Sequence, residues 1–278
     1  MKKTILLIGA NGMFGLDAAD IFTAANYQVI KATRADFDIT NLQEVEFFFK
    51  NKFFDFVINT AAYTKVDDAE KEIEAAFAVN AEGAKNIAIA SAQKNIPLIF
   101  ISTDYVFDGT KTSPYLPDDT TNPKTIYGAS KLLGEKYTRL ENPCHYIVRT
   151  SWLYGKHGKN FVDTMLKISQ SQKVIKVVND QFGCPTWTHD LAYGIKSLIE
   201  KDADFGTYQI CGSGATSWFE FAKKIFEISK IAVEVVPVST LEFPRLAPRP
   251  KFSVMDNQGF GAPWQESLKN YLALKNST

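Results

Sequence analysis

The sequence predicts an α/β fold built on a doubly wound parallel sheet, and three observations carry this prediction. Short apolar runs such as residues 5–8 and 98–101 lack polar alternation, which is typical of strands buried on both faces. Helical patterns separate these runs in a repeated β-α order. A glycine-rich segment, residues 9–15, joins the first strand to the first helix. We therefore expect helices on both faces of one sheet.

The first half of the chain supplies regular elements, which are recognised from their residue patterns. Apolar runs rich in β-branched and aromatic residues predict strands at residues 3–8, 28–31, 56–60, 97–102 and 146–150. Amphipathic or alanine-rich stretches predict helices at residues 13–25, 42–50, 68–94 and 127–140. This alternation is what a parallel sheet with crossover helices requires.

The regular alternation of predicted strands and helices becomes less clear after about residue 150, where glycines and prolines cluster. Helices are predicted at residues 161–170, 190–200 and 218–228, and strands at 174–178, 208–211 and 233–236. Residues 237–250 hold four prolines, which predicts an extended loop. The second half is therefore expected to form a smaller, less regular α/β lobe.

Composition excludes several classes of protein. The 278 residues carry 31 Lys and Arg against 31 Asp and Glu, whereas nucleic-acid binders usually show a basic surplus. The apolar runs are too short for a membrane span or a signal peptide. The three cysteines lack C-x-x-C spacing and the three histidines lack i, i+4 spacing, so we expect neither disulfides nor a zinc site. We expect a cytoplasmic protein with no membrane or nucleic-acid partner.

Gly9, Gly12 and Gly15 form a G-x-x-G-x-x-G segment directly after the first strand. Glycines at such a junction allow a tight turn, the approach of a pyrophosphate, and close packing of helix on sheet. The spacing differs from the usual G-x-G-x-x-G, but its place in the chain predicts a Rossmann-type dinucleotide site. We expect a dinucleotide-binding Rossmann lobe at residues 1–150. Residues 151–278 would form mainly a substrate-binding lobe, with some segments returning to the first.

The residues after the second strand bear on which dinucleotide binds. An acidic side chain there would bind the ribose 2′-hydroxyl of NAD, but this sequence has Thr33 and Arg34. A hydroxyl followed by a guanidinium suits a 2′-phosphate. We therefore expect NADPH, with NADH as the alternative, and Asp38 could reach the adenine ring.

Tyr127 and Lys131 lie four residues apart, on one face of a predicted helix. We expect Lys131 to lower the pKa of Tyr127, which would make the phenol a proton donor to a carbonyl near neutral pH. The same spacing occurs at 27/31, within a predicted strand, and at 271/275, at a C-terminus expected to fray. Of the three pairs, only Tyr127/Lys131 opens a helix after a central strand.

Thr103 lies at the end of that strand. Its hydroxyl could bind a carbonyl oxygen of the substrate or simply cap the end of the strand.

Several segments together resemble the extended short-chain dehydrogenase/reductases over nearly the whole chain. Besides the glycine loop and residues 127–131, the matching segments are 59–64, 66–67, 102–109, 149–155, 160–161, 180–186 and 249–250. Ser-Thr-Asp-Tyr-Val-Phe at 102–107 and Asp-Gln-Phe-Gly-Cys-Pro-Thr at 180–186 are the most specific. They are similar to the branch that reduces the C4 ketone of dTDP-4-dehydro-L-rhamnose to dTDP-L-rhamnose, a precursor of cell-surface polysaccharide.

The resemblance implies roles for individual residues. Tyr127 would protonate the C4 oxygen with support from Lys131, while Thr103 would tune the carbonyl. The dTDP-sugar would contact Thr103, Asp104 and Trp152. The dinucleotide would contact Gly9, Gly12, Met13, Phe14, Gly15, Thr33, Arg34, Asp38, Ile39, Ala61, Ala62 and Tyr63.

Alternatives stay open. A related 4-ketoreductase would give another product, such as the 6-deoxytalose sugar, because the orientation of the sugar decides which face receives hydride. Related dehydratases place Asp-Glu after the threonine, whereas Tyr105 follows Asp104 here, and epimerising reductases use an added cysteine that residues 103–127 lack. A non-catalytic NADP-binding regulatory subunit would share the fold, although Tyr127, Lys131 and Thr103 are intact.

Some relatives of this branch are described as magnesium-bridged dimers that use acidic side chains. The corresponding positions here are Asp17 and His189, and a neutral imidazole is a poor magnesium ligand. We therefore expect no metal at this place, and either a monomer or a homodimer.

Overall fold

A computed structural model describes residues 2–276, in which strands and helices alternate along most of the chain. The strands are β1 (Thr4–Ile8), β2 (Gln28–Ala32), β3 (Phe56–Asn59), β4 (Leu98–Thr103), β5 (His145–Thr150), β6 (Leu153–Tyr154), β7 (Val174–Val178), β8 (Phe182–Gly183), β9 (Thr186–Trp187), β10 (Gly206–Gln209), β11 (Thr216–Ser217) and β12 (Glu234–Val238). The α-helices are α1 (Met13–Ala24), α2 (Leu42–Lys50), α3 (Val66–Ala69), α4 (Ile73–Phe77), α5 (Gly83–Ala92), α6 (Ile126–Glu141), α7 (Phe161–Ile168), α8 (Thr188–Glu200), α9 (Trp218–Ser229) and α10 (Trp264–Asn276).

Six of these strands form one sheet in the order β10-β5-β4-β3-β1-β2, and all of its neighbours are parallel. The chain order reverses at β1, where Leu6 lies beside Ile30 of β2 on one side and Val57 of β3 on the other. Such a reversal is the topological switch point of a doubly wound sheet. The predicted fold class is therefore confirmed.

Helices cover both faces of the sheet because each apolar strand face must be buried. Successive residues of β1 belong to different cores, as the two-residue period of a strand dictates. Leu7 shares one core with α1 and with Leu191 of α8. Leu6 shares the other with Val45 of α2 and Ile87 of α5. The carboxyl ends of the strands stay uncovered between these helical layers.

Two elements that follow residue 150 belong to this sheet layer. β10 pairs with β5, and α8 packs along α1. Later elements build a separate core around Tyr154, Val162, Phe221 and Leu268, beside the parallel pair β7 and β12. The division of the chain at residue 150 stays a prediction.

None of the helices within residues 2–276 has the length and apolar character that crossing a bilayer demands.

The single helix predicted at residues 68–94 is wrong, because the segment is interrupted. It consists of α3, α4, a π-helical turn at Ala78–Glu82, and α5. The π-helical turn contains Asn80, a polar residue that is almost fully buried. Single π-turns often serve functional sites, since they redirect a side chain within an otherwise regular helix.

The proline-rich segment also differs from its prediction. Pro237 is still part of β12, and Thr240–Glu242 forms a short 3-10 helix before the extended stretch. Proline is tolerated in β12 because this strand pairs on one side alone, in a two-stranded sheet. The strand predicted at residues 208–211 is β10, which begins earlier, at Gly206, because it extends the sheet beside β5.

The C-terminal segment expected to fray is the helix α10. Tyr271 is fully buried, and its hydroxyl donates to the carbonyl oxygen of Gly155 at 2.9 Å. Lys275 donates to the carboxylate of Asp163 on α7. The Tyr271/Lys275 pair is therefore a packing feature of the second core, and residues 277–278 lie outside the described chain.

Candidate active site

A cavity of about 770 Å³ lies at the carboxyl ends of β1, β3, β4 and β5. The carboxyl ends of parallel strands meet at one edge of the sheet, so segments far apart in sequence line this cavity together. All the residues predicted to contact cofactor or substrate line it, namely Gly9, Gly12, Met13, Phe14, Gly15, Thr33, Arg34, Asp38, Ile39, Ala61, Ala62, Tyr63, Thr103, Asp104, Tyr127, Lys131 and Trp152. Their individual roles stay predictions.

The glycine loop is shaped as a cradle for an anion. Gly9 has a φ of +77°, and a Cβ at this position would lie 2.6 Å from the amide nitrogen of Ala61. A Cβ on Gly15 would lie 2.8 Å from the Cα of Ala10. Gly12 caps α1, and within the described chain no side chain caps its first turn and no acidic residue lies in it. The first-turn N–H groups therefore fit a pyrophosphate.

The turn after β2 carries the charged groups at the far end of the cavity. The backbone N–H and hydroxyl of Thr33 donate to Asp36 at 2.8 and 3.0 Å, so this hydroxyl is already engaged. Arg34 has 87% of its side chain exposed, and its Nη2 lies 3.0 Å from Asp38. Asp38 also accepts from the backbone N–H of Thr40 at 2.9 Å. Arg34 is therefore the cation that could meet a 2′-phosphate.

Asn80 is a residue of this site that sequence reasoning missed. Its Oδ1 accepts from the backbone N–H of Tyr63 at 2.8 Å, and its Nδ2 donates to the Tyr63 carbonyl at 3.0 Å. The same Nδ2 donates to Ser130 Oγ of α6 at 3.0 Å. This amide therefore ties the cavity wall after β3 to the helix that carries Tyr127. The sequence feature that could have indicated this role is that Asn80 is a side-chain amide within the alanine-rich stretch 75–81.

Tyr127 and Lys131 lie in the first two turns of α6, which the Thr125 hydroxyl caps by accepting from the Gly128 N–H at 3.0 Å. Burial raises the pKa of Tyr127 to about 12, although a hydrogen bond with Thr103 opposes the rise. Burial lowers the pKa of Lys131 to about 7, against the charge of Glu135. The prediction that Lys131 lowers the pKa of Tyr127 is therefore wrong, because desolvation raises this pKa and Thr103, not Lys131, is the group that opposes the rise. The phenol stays protonated at neutral pH.

Asp104 places a buried carboxyl group beside Tyr127. Its Oδ1 accepts from the Thr103 hydroxyl at 3.0 Å, and the side chain is 2% exposed. Burial raises the pKa of Asp104 to about 6, despite hydrogen bonds that lower it. Its Oδ2 makes no hydrogen bond of standard geometry within residues 2–276, and the Ser253 hydroxyl is the group that most lowers the pKa of this carboxyl. Asp104 therefore places a buried carboxyl group with a raised pKa in the wall of the cavity.

Two stacked tryptophans, Trp152 and Trp218, line an apolar part of the cavity. The rings of Trp152 and Trp218 have centroids 3.5 Å apart and planes within 6° of parallel. Trp152 has a φ of +47°, which is unusual for a large side chain and is found at functional sites. A Cβ on Gly183 would lie 2.5 Å from the Trp152 ring, which explains the glycine in the 180–186 motif. Sequence reasoning identified Trp152 and missed Trp218.

A buried ionic network fixes α6 against the sheet behind these groups. Glu135 accepts from Ser102 Oγ at 2.6 Å, from Arg149 Nε and Nη2 at 2.9 and 2.8 Å, and from Arg139 Nη2 at 3.0 Å. Glu135 is fully buried, and burial by itself raises its pKa. The hydrogen bonds and charge of Arg149 outweigh that effect and lower the pKa below its usual value. The network therefore fixes Tyr127 and Lys131 relative to the end of β4.

The predicted absence of a metal at Asp17 and His189 stays a prediction. Asp17 accepts from the Thr188 hydroxyl and lies 3.5 Å from His157 Nε2. His189 stacks on Trp187 with ring centroids 4.2 Å apart. Across residues 2–276, no three His, Cys, Asp or Glu side chains are grouped so that they could hold a metal ion.

The switch-point cavity, the glycine cradle and the Tyr127–Lys131 pair define a dinucleotide-dependent short-chain dehydrogenase/reductase of the extended type. Residues 1–276 match the model of the RmlD substrate binding domain, and the chain belongs to that family. The match includes the elements after residue 150 as well as the dinucleotide cradle.

Relatives resemble this chain over its whole length. The Bacillus subtilis spore coat polysaccharide biosynthesis protein SpsK is 39% identical, over 98% of each chain. The crystal structure of a dTDP-4-dehydrorhamnose reductase from Clostridium acetobutylicum shares 42% identity and a TM-score of 0.95, covering 98% of this chain and 99% of that one. The dTDP-4-dehydrorhamnose reductase of Bacillus anthracis, solved in complex with NADP, shares 40% identity and a TM-score of 0.95, covering 99% and 100%.

Proposed function

We propose that this protein reduces the C4 ketone of dTDP-4-dehydro-L-rhamnose to dTDP-L-rhamnose with NADPH, as a step in making a polysaccharide precursor. The observation that carries the proposal is one cavity in which a glycine cradle lies beside Tyr127, Lys131, Thr103 and Asp104. Full-length relatives named for this reductase activity support the same substrate. The protein would act in the cytoplasm as a monomer or homodimer, and its free cysteines fit a reducing compartment.

The nicotinamide, when bound, supplies hydride to C4 of the sugar. Tyr127 holds its proton because burial raises its pKa to about 12, and it gives that proton to the C4 oxygen as the ketone becomes an alcohol. The negative charge then left on the phenol oxygen is stabilised by Lys131 when its amine is protonated. Because the pKa of Lys131 is about 7, this support weakens above neutral pH.

The other cavity residues orient the sugar. The Thr103 hydroxyl, at the end of β4, lies beside Tyr127 and can share the charge that develops on the C4 oxygen. Asp104, which lines the cavity, accepts a hydrogen bond from a sugar hydroxyl. The Trp152 and Trp218 rings, which line the cavity, exclude water and pack against the apolar side of a 6-deoxy sugar.

The test is NADPH consumption with dTDP-4-dehydro-L-rhamnose as substrate, together with identification of the product. Replacing Tyr127→Phe removes the transferred proton and leaves the ring, so kcat should fall about 10²- to 10⁴-fold while NADPH affinity is kept. The matched control is Tyr193→Phe, an exposed tyrosine on α8 away from the cavity, which should keep full activity. No turnover by the unmodified protein would contradict the proposal, and a 6-deoxytalose product would replace it with the alternative reductase.

A further inference from the structure

Phe100 is a buried aromatic residue in the middle of β4, below the helix α6 that carries Lys131. Side chains of a strand alternate between its two faces, so Phe100 and Ser102 point to the same side. Ser102 Oγ donates to Glu135 of α6 at 2.6 Å, and a Cβ on Gly134 of α6 would lie 2.9 Å from Cζ of Phe100. The face of β4 that carries Phe100 is therefore the one packed against α6.

Gly134 leaves room for the Phe100 ring because it has no side chain. A Cβ at this position would also lie 2.2 Å from the carbonyl oxygen of Asn80, in the π-helical turn. Both distances are shorter than non-bonded atoms tolerate, so a larger residue would push α6 away from β4. Phe100 is 1% exposed, and its ring fills the space beside this glycine.

The amine of Lys131 lies over the face of the same ring. Its Nζ is 4.1 Å from the centroid of Phe100. The negative face of an aromatic ring attracts an ammonium at this distance, and the attraction is stronger where water is excluded. Lys131 is 2% exposed, so the site meets that condition. The ring face therefore favours the charged form of the amine over the neutral form.

Glu135 also favours the charged amine, and it acts through its charge. Its Oε1 accepts from Ser102 and Arg149, and its Oε2 accepts from Arg149 and Arg139. Both oxygens are thus engaged by other partners, and the two arginines offset much of the negative charge. Burial lowers the pKa of Lys131 to about 7 in spite of Glu135. A further stabilising contact therefore bears on how much of the amine is charged near neutral pH.

The elements that pack against α6 carry other titratable groups. On α3, α4, the π-helical turn, α5, the 3-10 turn after β4, and β5, these are Asp67, Asp68, Glu74, Glu82, Lys85, Asp104, Tyr105, His145, Tyr146 and Arg149. Tyr127 and Glu135 share a face of α6 with Lys131, at a spacing of four residues. Among the groups of the described chain, Glu135 is the one whose charge shifts the pKa of Lys131.

We propose that Phe100 is a positioning residue, whose ring face holds the Lys131 ammonium in place and in its charged form at the wall of the cavity. This inference rests on the proposed function, in which that ammonium stabilises the negative charge left on Tyr127. A neutral or displaced amine would leave the phenol oxygen without this support, so proton transfer to the C4 oxygen would be slower.

The test replaces Phe100 with mono-, di- and trifluorinated phenylalanine at this one position of the full chain. Each fluorine withdraws electron density from the ring face and changes the size of the ring little, so the attraction for a cation weakens in steps. The titration of Lys131 is followed by nuclear magnetic resonance of carbon-labelled lysine, and the signal is assigned by its loss in Lys131→Arg. We expect the titration midpoint to fall stepwise, by about half a pH unit to one unit over the series, which is the size of one buried cation–π contact.

The matched control places the same fluorinated residues at Phe54. This side chain is as buried as Phe100, at 1% exposed, but its ring packs edge-on against the ring of Phe49, with centroids 5.5 Å apart. The midpoint of Lys131 should stay constant in the Phe54 series, because fluorine there does not alter the ring beneath the amine.

The pH profile of kcat provides a second measurement. The pH at which kcat falls on the alkaline side should move down in the same steps across the Phe100 series. A purely structural role of Phe100 would instead lower kcat by the same factor at every pH.

A Lys131 midpoint that stays constant across the Phe100 series overturns the inference, and so does an equal shift in the Phe54 series. A shifted midpoint with an unmoved pH profile also overturns it, since the ring would then act on the amine and not on the reaction. An active enzyme with a constant Lys131 midpoint refutes the role of Phe100 alone. Absent turnover by the unmodified protein refutes the proposed function instead, because the titration of Lys131 needs no substrate.

Discussion

Replacing Glu135→Gln tests the buried network that fixes α6 against the sheet. The change keeps the size of the side chain and removes its charge. Arg149, only 2% exposed, would keep neutral acceptors, namely the new amide oxygen and the Pro117 carbonyl at 2.9 Å from its Nη1, and lose its counter-ion. A buried guanidinium without its carboxylate is strongly unfavourable, because desolvation is no longer offset by an opposite charge.

The magnitude follows from the burial of the two partners. Breaking a fully buried ion pair costs about 3–5 kcal/mol, and Glu135 and Arg149 are 0% and 2% exposed. Arg139 contacts the same carboxylate with 38% of its side chain exposed, so Arg139→Gln should cost at most about 1 kcal/mol. The two variants therefore compare the loss of the buried carboxylate charge with the loss of one partly exposed partner of that carboxylate.

The assay is chemical denaturation at neutral pH, in which the midpoint should fall for Glu135→Gln with little change in slope. The pKa of Glu135 lies below its unfolded value of about 4.3, so its ionisation stabilises the fold fully above that pH. This contribution is lost as the pH falls through the lower, folded pKa. The gap between the variant and the unmodified protein should therefore narrow only in acid.

One result would refute the reasoning. If Glu135→Gln and Arg139→Gln cost the same, about 1 kcal/mol or less, burial would not amplify the ion pair and α6 would depend on apolar packing instead.

Two further predictions concern the dinucleotide cradle. Arg34→Ala should weaken NADPH binding about tenfold and leave NADH binding unchanged in fluorescence titrations, because only NADPH carries the 2′-phosphate. Equal losses of affinity for the two dinucleotides would contradict this role of Arg34. Gly15→Ala should lower stability by about 1–3 kcal/mol in thermal unfolding, since its Cβ would lie 2.8 Å from the Cα of Ala10. Gly12→Ala, whose Cβ would meet no atom closer than 3.3 Å, should cost less, and a larger loss than for Gly15→Ala would count against the packing argument.

Local patterns predicted much of the fold. The apolar runs at β1 and β4 and the glycines between β1 and α1 are strand and turn signals contained within a few residues. The same patterns placed Tyr127 at the start of a helix after a central strand, which distinguished it from the chance pairs 27/31 and 271/275. The helix predicted at 68–94 was wrong because the turn around Asn80 depends on distant partners, Tyr63 and Ser130.

By itself, the sequence determined the parallel sheet and the glycine cradle, since periodicity and turn chemistry are local properties. The family resemblance added part of the set of residues that line the cavity, without Trp218. Only the tertiary structure decided the electrostatics. Burial raised the pKa of Tyr127 where the adjacent lysine predicted a fall, and it joined Glu135 to Arg149 across the sheet. Desolvation and such long-range contacts depend on what surrounds a group in three dimensions, which spacing along the chain does not encode.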